Sequence, residues 1–435
     1  MHGAHRLQER QLHERPLRLT ALTERPRLRA AAPWIGVGAA LLLVVLAESF
    51  EALQLRDVSL DFRSYFFASR ALAQGANPYD LQTLQRLARL SRVDGLVYPY
   101  LYPPLFAEAI GRLGRLAPIM AQRLWALFGV ALLAPALTLF VRAWSSPRGA
   151  GAPREVPVPR ALAAALAVAL LPFGHSASLG QVNLVVLALL LYALAAHEAR
   201  RDALAGVFVG VAACVKVTPI LFLAFFVARR RPVAAIACAA TVLVCVGGSI
   251  AAFGLAPWRE FAALLPSLAP GATTPGLYSP DTVLSFSAAS FFARWLPHAR
   301  RLVRGLAIAC CAGLAGGALL RALRASSPRE EHAAVGLLVV AMIVSAPLTY
   351  LHHVVFALPA VLSFAWDALD GRVRPLGLVV GVVAVAVASM NFPMAYELFR
   401  LSPRLVPAVA SLNLYALLAL YALIWRTSAA EVVAA

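Results

Sequence analysis

Long apolar runs, each closed by a short arginine-rich break, follow one another along almost the whole chain. A helix needs about 20 apolar residues to cross a bilayer. On that measure the pattern predicts about twelve crossings, at residues 33–50, 121–143, 161–174, 181–197, 203–215, 218–229, 233–253, 302–323, 332–349, 353–369, 375–391 and 405–425. The expected fold class is therefore all-α, a polytopic membrane bundle. Residues 103–118 are bounded by prolines and too short to span, and they read as re-entrant or interfacial. The long stretch before them changes period. In DVSLDFRSYFFASRALAQGANPYD the positions of Phe62, Tyr65, Phe66, Ser69, Ala71 and Leu72 predict a short amphipathic helix, ended by Gly75 and the turn residues Asn77 and Pro78. Such a helix is expected to lie in the interface plane with its aromatic face toward lipid.

Composition agrees with the pattern. The 435 residues are 61% hydrophobic and only 14% charged, and the mean hydropathy is +0.75, beyond the range of soluble domains. The net charge of +18 comes from arginines that punctuate apolar runs instead of forming one basic face. That is the mark of orienting loops and it excludes nucleic acid as a partner. Cys214, Cys238 and Cys245 lie inside apolar runs and Cys310 adjoins Cys311, so neither a disulfide framework nor a zinc spacing is present. No metal site is expected.

Arginines cluster at the N-terminus, at 142–160, 200–201, 229–231, 321–329, 372–374 and 426. Placing all of these on the cytoplasmic side gives one consistent threading. It predicts a basic cytoplasmic tail over residues 1–32 leading into an uncleaved signal anchor, and one transmembrane domain over 33–425. Within that domain residues 51–120 form a first external loop and 254–301 a second, and a short cytoplasmic tail follows over 426–435. The alanine and arginine bias suggests a GC-rich bacterial genome, hence a bacterial plasma membrane.

One residue breaks the arginine rule. Lys216 is the only lysine among 39 basic residues, and it sits in the apolar stretch LAGVFVGVAACVKVTPILFLAFFVA. A charge placed there marks a ligand or ion site. The 27 residues between Arg201 and Arg229 must cross twice, which leaves each arm about 20 Å long at 1.5 Å per residue. A broken hairpin with Pro219 at its turn follows, a form tolerated where backbone lines a polar cavity. Lys216 then lies at the floor of a cavity open to the outside, where it binds a compact anion or snorkels to the surface. The same threading puts Asp61, Arg63, Asn77, Asp80, His175, Gln181, Asn183, Asp281, His352 and His353 near the external ends of their spans, as one external site would require. Taken one by one, several have plainer readings: Asp61 caps a helix or acts as a base, and Gln181 and Asn183 cap a helix or bind an anion and sugar hydroxyls. Arg63 meets a phosphate or lipid headgroups.

Five elements occur in a fixed order: Asp61 through Tyr79-Asp80, Tyr102-Pro103-Pro104, Gly180-Gln181-Val182-Asn183, Lys216 to Pro219, and His352-His353 after Ser345-Ala346-Pro347. Together they resemble glycosyltransferase family 87, integral-membrane enzymes of the GT-C superfamily. The resemblance covers roughly residues 33–425. It implies a GT-C-like bundle and an inverting transfer of a hexose, mannose foremost, from a polyprenyl-phosphate donor to an acceptor hydroxyl on the outer face of the membrane. The acceptor would be a glycolipid or glycan, the surroundings membrane lipids, and the lipid-linked sugar a co-substrate, with no other cofactor.

The resemblance also implies roles. Asp61 matches the general base, Lys216 the phosphate ligand, and His352 or His353 a group that binds the leaving phosphate or handles protons. Adjacent positions on a helix diverge by about 100°, so one of the two histidines is expected to face the cavity. In the second external loop Tyr278-Ser279-Pro280-Asp281 departs from the Asn-Gln-Ser element of many relatives, and Asp281 there is a turn residue or an alternative acid or base. No Asp-x-Asp motif is present, which disfavours a nucleotide-sugar donor. A transporter and a non-catalytic envelope-assembly protein are the competing classes. The former should show internal repeats, and the two external loops do not match each other.

Overall fold

The computed structural model describes residues 26–145, 158–274, 276–391 and 404–434. Among them every regular element is helical. The first half holds α1 (Pro26–Gln54), α2 (Leu60–Ala73), α3 (Leu81–Leu90), α4 (Pro104–Ile110), α5 (Pro118–Ser145), α6 (Val158–Leu170), α7 (Phe173–Ser178), α8 (Asn183–Glu198) and α9 (Asp202–Val215). After it come α10 (Leu221–Ala228), α11 (Pro232–Phe253), α12 (Ala256–Leu264), α13 (Ala288–Trp295), α14 (Arg300–Arg324) and α15 (Pro328–Val344). The chain closes with α16 (Leu358–Leu369), α17 (Pro375–Ser389), α18 (Val406–Val409) and α19 (Leu412–Ala434). Five segments among the described residues are long and apolar enough to cross a membrane, and further apolar helices are shorter. The chain is thus an all-α, multi-pass membrane protein. Helix occupies each of the expected runs. Of the N-terminal tail expected over 1–32, residues 1–25 lie outside the described residues, and the last helix continues past Trp425 to Ala434.

Burial sorts the helices by their patterns. α8 and α15 are apolar around their whole circumference, and nearly every residue of each is buried, as a helix at the centre of a bundle requires. α11 and the central stretch of α14 are also apolar yet mostly uncovered, with Leu243 72% and Val244 73% exposed on α11, which is how a helix facing hydrocarbon looks. α5 and α9 flank α8, and α9 also packs along α11. Gly206 and Gly210 allow that last approach: a Cβ on Gly210 would stand 2.7 Å from Thr241 Cβ. Small residues four apart let two membrane helices close to backbone contact.

The segment between α1 and α5 folds onto the bundle. Ser59 precedes α2, and its amide donates to Gln122 Oε1 at 2.7 Å while its hydroxyl donates to the Ser178 carbonyl at 2.6 Å, so α2 is tied at its start to α5 and α7. The aromatic face expected to meet lipid does not. Phe62, Tyr65, Phe66 and Phe67 are at most 1% exposed and are covered by protein, since α2 packs on α3 and α4. Aromatic side chains bury large areas, and here a protein groove takes them before lipid can. α4 has seven residues and continues into a short 3-10 turn at Leu113–Arg115. It is too short to cross, in keeping with a re-entrant or interfacial segment.

The arginine-rich breaks meet at the opposite end of the bundle. Arg229 and His197 reach Glu331, Arg231 reaches Asp202, Arg329 and Arg372 reach Asp367, and Arg160 reaches Asp370. His332 pairs with Glu198 at 2.8 Å and stacks on Trp144. Glu331 is 1% exposed, a depth at which a carboxylate needs its partners.

Candidate active site

At the other end of α8 the polar residues singled out in the sequence converge. Gly180 makes this possible. Its φ of +67° turns the chain between α7 and α8, and a Cβ there would lie 2.7 Å from Phe62 Cβ. Only glycine combines that backbone with so close an approach. Trp125 Nε1 donates to the Gly180 carbonyl at 3.0 Å and fixes the turn. Gln181 and Asn183 then enter the core buried, and neither caps α8, whose N-cap is Val182.

Each amide anchors a chain of hydrogen bonds. Tyr65 donates to Gln181 Oε1 at 3.1 Å and shares a 3.0 Å bond with the Tyr102 hydroxyl. Gln181 bonds in turn to the Asp61 carboxylate. Asp61 lies in the first turn of α2, where Ser59 is the N-cap, so the carboxylate is not the cap. In the second chain Lys216 Nζ donates to Asn183 Oδ1 at 2.8 Å, and Asn183 Nδ2 donates to the His352 carbonyl at 3.0 Å.

Lys216 stands where α9 breaks. Its amide closes the helix on the Ala212 carbonyl at 2.9 Å, its backbone is extended at φ −144° and ψ 128°, and a 3-10 turn at Thr218–Ile220 with buried Pro219 leads into α10. The broken hairpin read from the sequence is present. The ammonium lies 5.5 Å from the centre of the Phe356 ring and 5.9 Å from that of Tyr102, which hold it in a cation–π cradle. Among the described residues no direct ion pair joins it to Asp61. Its charge nonetheless acts on that carboxylate, and burial outweighs both this attraction and the Gln181 bond, pushing the Asp61 carboxyl up to about 6.

The histidine pair departs from expectation. Residues 351–357 form a 3-10 helix, and the His352 and His353 rings lie 4.4 Å apart, both within the field of Lys216. Both therefore belong to the cluster. His352 is buried and faces His175 at 6.3 Å, while His353 Nδ1 accepts from the Tyr350 amide at 3.1 Å. A 3-10 turn sets adjacent side chains about 120° apart, so the contact comes from the two rings turning toward each other and not from helical spacing.

Arg63 is not brought in. It lies two positions from Asp61, about 200° around the helix, and donates to the Val58 carbonyl at 2.7 Å and to the Leu96 carbonyl at 3.1 Å. Asp80 caps α3 by accepting from the Gln82 and Thr83 amides, and Asn77 accepts from the Tyr79 amide. Asp281 is exposed in a turn. Sequence reasoning passed over Tyr65, Tyr102 and Tyr350 as site residues. The alternation in VYPYLYPP was the available signal for Tyr102, whereas Tyr65 looked like one more aromatic on an amphipathic face. Among the described residues no group of three or more His, Cys, Asp or Glu is gathered as a metal site.

Fold and site together define a multi-pass membrane protein that holds a carboxylate, an ammonium and two imidazoles in one buried-edged cluster at one end of its bundle. The family model of glycosyltransferase family 87 matches residues 100–351. The chain belongs to that family and is a glycosyltransferase, acting on a sugar donor and an acceptor in the membrane. The matched interval contains Tyr102, Gln181, Asn183 and Lys216; Asp61, His352 and His353 lie outside it. No curated protein matches the chain.

Proposed function

We propose that the protein is an inverting hexosyltransferase with a GT-C-like bundle that moves mannose, or a related hexose, from a polyprenyl-phosphate donor to an acceptor hydroxyl. The setting in this reading is a bacterial plasma membrane, with the cluster facing the periplasm or exterior and a glycolipid or glycan as acceptor. One observation carries it: a half-buried carboxylate on α2 and a lone ammonium on a broken membrane hairpin share one polar cluster. A phosphate linked to a lipid arrives at membrane depth, where Lys216 meets it as a point charge. The N-terminus of α8 adds partial positive charge on the same side. Asn183 sets the ammonium in place, and Gln181 sets the carboxylate.

In the transfer, Asp61 takes the proton of the acceptor hydroxyl while the acceptor oxygen forms its bond to the anomeric carbon. The bond from that carbon to the phosphate oxygen breaks, and the electron pair leaves with polyprenyl phosphate, held by Lys216 and the His352–His353 pair. Arg63 has no part in this scheme, because its guanidinium serves the loop. The test is transfer from radiolabelled polyprenyl-phosphate mannose in sealed vesicles. Wild type is expected to be active, Asp61→Asn to fall at least 100-fold, as loss of a general base does, and Lys216→Ala to lose donor affinity. Undiminished transfer in both variants would overturn the scheme.

A further inference from the structure

Tyr350 carries a buried hydroxyl for which the protein provides no hydrogen-bond partner. Such a group costs stability, and in a native fold it asks for an explanation. Its surroundings are informative. Tyr350 immediately precedes the histidine pair, with its ring 5.6 Å from His352 and 6.3 Å from His353. The Tyr278 ring lies edge-on to it at 6.5 Å, and the Tyr278 hydroxyl bonds the Tyr98 hydroxyl at 3.1 Å. Tyr98 belongs to the segment between α1 and α5, Tyr278 to the segment between α11 and α14, so two separate connections meet over the cluster. Asp61, Tyr98 and Tyr278 are the ionisable groups that act on the Tyr350 hydroxyl.

The frame beneath these rings is stiff. The Phe286 amide donates to the Thr349 carbonyl at 2.9 Å, the Thr349 amide to Ser285 Oγ at 3.0 Å, and the Ser287 hydroxyl to the Pro347 carbonyl at 3.1 Å. Arg294 locks this stitching with bonds to the Thr282 and Ser285 carbonyls and to the Ser411 hydroxyl. Tyr278 itself is 44% exposed at the rim. A hydroxyl kept unpaired on a rigid frame, within the field of the Asp61 carboxylate and beside the exposed Tyr278 ring, has the chemistry of a carbohydrate subsite: C–H faces of a pyranose rest on the rings and one ring hydroxyl takes the waiting hydrogen bond.

We propose that Tyr98, Tyr278 and Tyr350 form the acceptor subsite, which binds a pyranose ring with one hydroxyl on Tyr350 and the reacting hydroxyl turned toward Asp61. This rests on the transferase reading of the same cluster. It places acceptor recognition on the two long connections, whereas the donor phosphate falls to the hairpin.

The experiment uses the full chain in nanodiscs and titrates methyl α-D-mannopyranoside and methyl α-D-glucopyranoside by saturation-transfer difference NMR, with no donor present. The same proteins are assayed for transfer. Wild type is expected to bind at least one glycoside. Tyr350→Phe and Tyr278→Ala should each weaken binding about tenfold, the worth of about one ordinary hydrogen bond or ring contact, and raise the acceptor KM in step while leaving the donor KM alone. Tyr278→Phe, which keeps the ring, should restore most of the binding lost in Tyr278→Ala, and the thermal unfolding midpoint of each variant, expected at the wild-type value, reports on folding. Unchanged binding in both Tyr350→Phe and Tyr278→Ala, or no binding of either glycoside to wild type, overturns the subsite. Because binding is read without donor, a wild type that binds glycoside but transfers no sugar would overturn the transferase reading and leave the subsite standing.

Discussion

Asp61→Asn should give an enzyme that is nearly dead and also more stable. Burial lifts the Asp61 carboxyl from 3.8 to about 6. The protein therefore holds this group more readily protonated than the unfolded chain does. Between about pH 4 and pH 6 the native state binds more protons, so stability falls as pH rises through that window and stays lowered above it. At 1.36 kcal/mol per pH unit, the ionised carboxylate costs up to about 3 kcal/mol, less what solvent at its half-open face screens. Asparagine is nearly isosteric, never ionises, and can keep a bond to Gln181. Thermal unfolding in detergent, followed at pH 4 and at pH 8, should show a small effect at the lower pH and a stabilised variant, by roughly 2 kcal/mol, at the higher. Transfer by the wild type should meanwhile fade as pH drops through about 6, because a base works only when ionised. A variant no more stable at pH 8 than wild type, or an acid limb near pH 4, would refute the reasoning.

Three further outcomes follow from the geometry. Asn183→Asp sets a carboxylate where Oδ1 now accepts from Lys216, so it should pair the ammonium and raise the donor KM by at least about tenfold, read in a donor titration of vesicle transfer. Gly180→Ala forces a side chain into a left-handed turn and against Phe62; a loss of roughly 1–3 kcal/mol is expected in thermal unfolding, with activity lost alongside as Gln181 shifts. Glu331→Leu at the far end strands Arg229 and His197 and should destabilise by about 3–5 kcal/mol, while the acid limb of transfer in the surviving folded protein stays where wild type has it.

How much of this was legible in the chain depends on the range of the interaction. Helices were written in the apolar runs, and the broken hairpin in the distance between Arg201 and Arg229, because both are local matters of length and hydropathy. Lys216, Gln181 and Asn183 announced themselves as polar residues in places where polarity is costly. What could not be read is what each group faces. Asp61 and Asp80 look alike as carboxylates near the start of a helix, and only packing makes one the centre of a cluster and the other a cap. The aromatic face of α2 has the same pattern whether lipid or protein covers it. The side-by-side histidines depend on ring orientations that no spacing rule signals. Arg63 points away from Asp61 through helix phase, which the sequence does encode, and its loop carbonyl partners are found only in the fold.

The break in α9 has a practical consequence through its residue. Apart from the α-amine, the side chain of Lys216 is the sole primary amine in the chain, and it is only partly covered. Amine-directed acylation thus has one side-chain address, set on Asn183 within the cluster. Mass-spectrometric footprinting of that single modification becomes an occupancy gauge: a molecule seated on the ammonium shields it, an empty protein leaves it open, and no other lysine clouds the signal.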